Sequence, residues 1–143
     1  MFFKEQKNND QVNNLTNIAA LLVHAAKIDE NYSDQEEKII KDTLLKIGAN
    51  SGDIEEIIKQ AKKIEENSNQ ILEFTKEVKN MDKENKIKIV ENLWRIIYSN
   101  KKADIYETSL MRRLAGLLYI DSKIMGDIKD KIKKESSNDI HSK

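Results

Sequence analysis

The sequence predicts an all-α fold, a single helical domain of about seven helices. The chain has 143 residues with no proline and only 4 glycines, whereas a sheet-rich domain of this size uses both residues in many tight turns. Apolar residues recur at three- and four-residue steps, which is the spacing of one helix face. We expect the helical domain to span residues 10–135, between a flexible N-terminus (1–9) and a flexible C-terminal tail (136–143).

The first four helices follow from apolar spacing and polar breaks. The first helix is predicted from Asp10 to Ile28, and the second begins at Ser33 and ends where Gly48 offers a left-handed backbone. The third carries apolar residues from Ile54 to Ile64 and ends at the polar cluster 67–69. The fourth carries Ile71, Phe74, Val78 and Met81. Short connections between these helices predict antiparallel neighbours.

Three further helices complete the predicted domain. Asp82 caps the fifth, whose apolar stripe contains Val90, Leu93, Trp94 and Ile97. Asp104 opens the sixth, and Asp121 opens the seventh. Trp94 and Tyr98 share one face at a four-residue step, which favours packing over a ligand site.

Composition excludes several classes of function. The 25 basic and 25 acidic side chains cancel to a net charge of +0, so no global field attracts nucleic acid. The chain has no cysteine for disulfides or thiolate chemistry. Neither a signal peptide nor a membrane span is predicted, and we expect a cytoplasmic protein without membrane insertion.

Two acidic turns share one internal spacing and are the main functional motif. In each, a residue that leaves one helix is followed seven positions later by a glutamate in the next helix: Asp29 with Glu36, and Asn100 with Glu107. The offset between the turns is 71 residues, and the same offset aligns Leu22 with Leu93 and Ile39 with Leu110. The sequence therefore predicts two related helical hairpins.

One interpretation of these turns is a metal site at Asp29, Glu36, Asn100 and Glu107. Five carboxylates lie between residues 29 and 37, and Ca²⁺ or Mg²⁺ prefers such oxygen ligands. The first turn is not an EF-hand loop, because its sixth position is Asp34 and its twelfth is Ile40. Zinc is disfavoured because the chain has no cysteine and only 2 histidines.

The other interpretation of the turns is helix capping. Ser33 with Glu36, and Asp104 with Glu107, each fit a capping box, in which the first side chain and the glutamate satisfy each other's backbone N–H groups. The two roles are compatible, since a carboxylate has two oxygens. His24 is expected to be a partly buried, satisfied histidine, and the lysines from Lys129 to Lys134 a solvated face.

Three stretches resemble the TerB-like (tellurite-resistance TerB) family, which includes the N-terminal module of the DjlA co-chaperone. They are Leu21–Asp29 with Glu36, Leu93–Asn100 with Glu107, and Met111–Leu118. The resemblance covers about residues 15 to 120. It implies a non-enzymatic, cytoplasmic, stress-associated helical domain that binds divalent metal through its acidic turns. It also implies a protein partner at the membrane, such as TerC.

The turns depart from the family pattern of alanine, aspartate and glycine. The first reads Ile28-Asp29-Glu30 and the second Ser99-Asn100-Lys101, so both glycines are missing. Asn100 has lost the charge of an aspartate, and Lys101 and Lys102 add two positive charges. We expect the second site to be the weaker.

Three functions therefore remain. The first is a binding or scaffold domain whose acidic turn holds a cation or presents charge to a partner. The second is a structural interaction domain in which the turns are only caps. The third, an enzyme using paired carboxylates, lacks residues that would supply a nucleophile or oxyanion donors. The oligomeric state, the partner and the ion are not predicted.

Overall fold

The computed structural model describes residues 2–27, 33–67, 72–99 and 105–141, with side chains for 14–27, 33–67, 73–76, 78–99 and 109–135. These residues form seven α-helices and one 3₁₀ turn, and the described ranges contain no strand. In chain order the helices are α1 (Phe2–Lys27), α2 (Asp34–Lys46), α3 (Ile54–Asn67), α4 (Leu72–Lys79), α5 (Lys83–Tyr98), α6 (Ile105–Leu117) and α7 (Ser122–His141). The 3₁₀ turn is Ser51–Asp53. The predicted all-α class is confirmed.

The second half of α1 is the centre of the domain. Its residues from Ile18 to Val23, and then Ala25 and Ala26, are at most 3% exposed, and α2, α3, α4 and α5 all pack against it. A helix that is apolar on every face must be covered on every face. Alanines at four of these positions let the neighbouring helices approach closely.

Several predicted helix ends are confirmed by hydrogen bonds. The Asp82 side chain accepts from the backbone N–H of Asn85 (2.9 Å), and the Asp121 side chain accepts from that of Lys123 (3.0 Å). The outer ends differ from the prediction. Helix α1 begins at Phe2 instead of Asp10, and α7 continues to His141, because polar helix formers such as Lys4 and Glu5 extend a helix without an apolar stripe.

Helices α2 and α6 end in the same way at positions 71 residues apart. Each closes with a Schellman motif, in which the Ala49 N–H donates to the Leu44 carbonyl and the Ile120 N–H to the Ala115 carbonyl, both at 2.9 Å. The left-handed residue of the motif is Gly48 (φ +110°) in the first half and Tyr119 (φ +57°) in the second. Matching backbone hydrogen bonds therefore support the predicted pair of related hairpins.

Side-chain pairs show that the two halves also share their helix directions. Glu91 and Arg95 of α5 pair with Lys131 and Glu135 of α7, so residue numbers rise together and these helices are parallel. In the first half, His24 and Lys27 near the end of α1 both contact Glu65 near the end of α3. In each half, the third helix (α3 or α7) therefore packs beside the first (α1 or α5).

No helix within the described ranges is long and apolar enough to cross a membrane.

Substitutions at the two left-handed positions, Gly48 and Tyr119, should change the free energy of unfolding in opposite directions. Gly48→Ala should destabilise the protein by about 1–2 kcal/mol, because L-residues resist a positive φ although a Cβ there meets no atom within 4 Å. Tyr119→Gly should stabilise it by about 0.5 kcal/mol. Relief of about 1–2 kcal/mol at the backbone exceeds the lost Lys79 contact with the ring and the added freedom of the unfolded chain. Urea unfolding measures both, and a loss of stability in both variants would contradict the expectation.

Candidate functional site

The start of α2 is fixed by the predicted capping box. Ser33 has an extended backbone (φ −96°, ψ 162°), and its Oγ accepts from the Glu36 N–H at 3.1 Å. The Glu36 Oε1 in turn accepts from the Ser33 N–H at 2.9 Å and from the Ser33 hydroxyl at 3.0 Å. Glu36 is 1% exposed. The capping interpretation of Glu36 is therefore confirmed.

The other three predicted ligands are not described at the side-chain level. Asp29 and Asn100 lie outside the described residues, and Glu107 lies in α6 without a described side chain. The four-residue metal site thus stays a prediction. Within the described ranges, His, Asp and Glu side chains form no group of three or more that could hold a metal ion.

The carboxylates that follow the first turn have partners that the sequence did not predict. Glu37 contacts Lys62 of α3 at 2.9 Å and Lys41 of α2 at 3.9 Å. Lys41 also contacts Glu55 at 2.8 Å, and this hydrogen bond raises the pKa of Lys41. Lysines brought by folding therefore balance part of the negative charge. Asp34, by contrast, lies exposed at the first position of α2.

Residues that adjoin the two acidic turns line one cleft. We call it the polar cleft: it lies between α2, α5 and α7 and has a volume of about 220 Å³. Gln35 follows the first turn by sequence, and Ser99 directly precedes the second. The lining residues are Gln35, Ile39, Arg95, Tyr98, Ser99, Ile132 and Glu135. One described residue near each turn therefore lines the same cleft.

A bidentate ion pair between Arg95 and Glu135 forms the charged wall of the polar cleft. The Arg95 guanidinium donates from Nε to Glu135 Oε1 at 2.9 Å and from Nη2 to Oε2 at 3.1 Å. Its Nη1 donates to Asn92 Oδ1 at 3.0 Å. The hydrogen bond to Glu135 raises the pKa of Arg95, and the one from Arg95 lowers the pKa of Glu135. Both groups are held in their charged forms.

The first half has a related charge contact close to the matching place, since Glu65 aligns one residue beyond Glu135 at the 71-residue offset. His24, which stands 71 residues before Arg95, lies 3.2 Å from Glu65. Lys27 donates to the same carboxylate at 2.8 Å, and this hydrogen bond raises the pKa of Lys27. His24 is thus a half-buried histidine with a partner, as the sequence predicted. Both halves use a cation on their first helix to hold a glutamate on their third.

Sequence reasoning missed Arg95 and Glu135 as members of a site. They lie 40 residues apart, beyond any rule based on neighbours within one helix. The 71-residue offset could have aligned Arg95 with His24, but it does not identify a carboxylate partner. The stacking of Trp94 on Tyr98, with centroids 5.8 Å apart, confirms the predicted packing of that pair.

The cleft offers recognition more than bond-making chemistry. Arg95 and Glu135 are the charged side chains among the described residues that line it, and each neutralises the other. A general base needs a lone pair that is not already engaged by a fixed cation. A polar ligand could instead exchange hydrogen bonds with Gln35, Ser99 and the rim of the ion pair.

Comparison with known families gives one match that covers most of the chain. The model of a family described as tellurite resistance protein TerB matches residues 15–130. No curated protein matches the chain, and no solved structure does.

The lowered pKa of Glu135 predicts a specific pH dependence. In the unfolded chain Glu135 takes up a proton at a higher pH than in the fold, so its contribution to stability is complete above its ordinary pKa, about 4.3. That contribution is lost as pH falls through the lower pKa of the folded state. Glu135→Gln should therefore cost about 1 kcal/mol near pH 7, with the difference from wild type shrinking as pH falls below about 4.3.

Urea unfolding between about pH 3 and 7 measures this difference. Glu84→Gln is the matched control, because Glu84 is largely exposed and lies 3.6 Å from Lys88, so it should show little cost at any pH. A cost of Glu135→Gln that does not change with pH would contradict the assignment.

Proposed function

The chain belongs to the TerB family, and we propose that it is a non-enzymatic, stress-associated binding domain whose first acidic turn and adjoining polar cleft hold a divalent cation or a partner. The main observation in support of this proposal is that Gln35 and Ser99, which adjoin the two turns, line one cleft. The generally non-enzymatic character of the family agrees with this function. We place the protein in the cytoplasm beside a membrane-associated protein partner, as the family resemblance implies.

The donor set of the first turn suits a hard cation only in part. Its carboxylates are the oxygens that Ca²⁺ or Mg²⁺ prefers, and Asp34 is exposed at the helix start. The Glu36 Oε1, however, already accepts two hydrogen bonds from Ser33, and Glu37 is paired with Lys62. We therefore assign the leading ligand role to Asp29, with Glu36 chiefly shaping the turn. Asn100 and Glu107 would contribute only across the shared cleft.

A second candidate is a structural interaction domain in which the turns serve only as caps. The burial of Glu36 inside its capping box favours this function. In that case a partner would be recognised by side chains of the helices, without any cation. The two candidates differ in whether charge in the turn matters for binding, and substitutions can separate them.

Asp29→Asn tests the cation directly. Isothermal titration calorimetry of the wild type with Ca²⁺ or Mg²⁺ should show binding at about 10⁻⁴–10⁻³ M, the range of weak calcium sites. The variant should bind at least about tenfold more weakly, since one carboxylate charge is lost, while its stability without cation stays within about 0.5 kcal/mol. No heat from the wild type up to several millimolar of either ion would overturn the cation proposal and leave the structural candidate.

The role of Glu36 is tested by comparing two cap variants. Ser33→Ala removes the cap without altering any carboxylate and should cost about 1 kcal/mol. Glu36→Gln should cost about 1–2 kcal/mol, because a buried charge-assisted hydrogen bond is weakened. Thermal unfolding with and without about 5 mM Ca²⁺ separates the roles. If cation stabilises Ser33→Ala but not Glu36→Gln, Glu36 is a ligand, whereas equal shifts in both variants identify it as a cap.

A further inference from the structure

A second depression, which we call the groove, lies between α6 and α7 over Trp94 of α5. Its volume is about 440 Å³, and much of its wall is apolar. Gly116 and Gly126 lie on its wall, and a Cβ at either position would point into open space, since it would meet no atom within 4 Å. The lining residues are Trp94, Met111, Arg112, Ala115, Gly116, Ile120, Ser122, Met125, Gly126 and Lys129. None of these is among the lining residues of the polar cleft.

The first half of the chain has an ion pair at the equivalent place. There, Lys41 of α2 contacts Glu55 of α3 at 2.8 Å. The 71-residue offset aligns Lys41 with Arg112, but it aligns Glu55 with Gly126. Arg112 is exposed and makes no ion pair with any described residue. The second half has therefore kept the cation of this pair and lost its carboxylate.

A core position of the first half is also occupied by a charged residue in the second half. Ile58 of α3 is 3% exposed and belongs to the core, whereas the aligned residue in α7 is Lys129. The Lys129 Nζ lies 5.5 Å from the centre of the Trp94 ring. The charged residues that line the groove are thus two cations, Arg112 and Lys129, with no carboxylate among the described lining residues. Its complement is an acidic partner that also supplies apolar side chains.

We propose that the groove binds an acidic amphipathic helix of a partner protein. A carboxylate of that helix pairs with Arg112, as Glu55 pairs with Lys41 in the first half. Its aliphatic side chains pack on the floor of the groove, where Trp94, Met111 and Met125 are 2%, 1% and 6% exposed. Arginine is among the residue types that most often dominate binding energy when a partner buries them, and methionines adapt to varied apolar surfaces. This surface is separate from the polar cleft and needs no cation.

Three designed peptides test whether the groove prefers an acidic helix. Each is a 15-residue helix-forming peptide with leucines at three- and four-residue steps and with glutamate, glutamine or lysine at the remaining positions. Trp94 is the chain's single tryptophan, so its fluorescence reports binding. The acidic peptide should bind at least about tenfold more tightly than the glutamine peptide, and added salt should weaken it. The lysine peptide should not bind.

Gly126→Glu separates binding from folding. A glutamate there reproduces the pair of the first half by contacting Arg112, and it has open space to occupy. The variant should lose binding of the acidic peptide about tenfold or more, while its thermal midpoint rises by roughly 3 °C, since glutamate is a better helix former than glycine. Gly126→Gln is the matched control, with the same size and no charge, and should keep more of the binding.

Reversing the charge at Arg112 completes the test. Arg112→Glu should reject the acidic peptide and bind the lysine peptide, whereas Arg113→Glu, on an exposed neighbour outside the groove, should behave as wild type. Equal binding of all three peptides, no binding of the acidic one, or unchanged binding in Gly126→Glu would overturn the proposal. So would a Trp94 fluorescence change on anionic phosphatidylglycerol vesicles in preference to the acidic peptide, because the surface would then serve a membrane.

Discussion

The covering of α1 on all sides is the constraint on which the domain depends. From Ile18 to Ala26, nearly every side chain of this helix is buried, and each large apolar one contributes about 1.5–3 kcal/mol when removed from water. Four other helices supply the cover. Their positions are therefore set by one segment, and the acidic turn that follows α1 starts from a fixed end of the core.

The equivalent helix of the second half, α5, is built differently. At the 71-residue offset, Ala20 and Leu21 of α1 are replaced by Glu91 and Asn92, and α5 holds α7 partly through charge. Glu91 contacts Lys131 at 2.7 Å, and Arg95 contacts Glu135. Polar contacts of this kind seal a helix interface less completely than apolar packing does. The groove is lined by residues of the second half, whereas the polar cleft is completed by Gln35 and Ile39 of α2.

Helix α7 separates the polar cleft from the groove and contributes to both. Its first turns bring Met125, Gly126 and Lys129 to the groove, and its later turns bring Ile132 and Glu135 to the cleft. The two surfaces differ in character, since the cleft has its charges paired and the groove has cations alone. Helix α7 therefore contributes side chains to two surfaces of different charge.

Local sequence patterns are sufficient to predict the helical class, the order and most inner ends of the helices, the 71-residue repeat and the Ser33–Glu36 cap. These follow from apolar spacing and from contacts within about four residues. The partners of Arg95, Glu37 and Lys41 emerge only from the tertiary packing, because each pair joins residues of different helices. A helix cap is formed by residues about three positions apart, so the cap could be predicted from the sequence. Whether a cation or carboxylate is paired depends on packing, which periodicity alone does not contain.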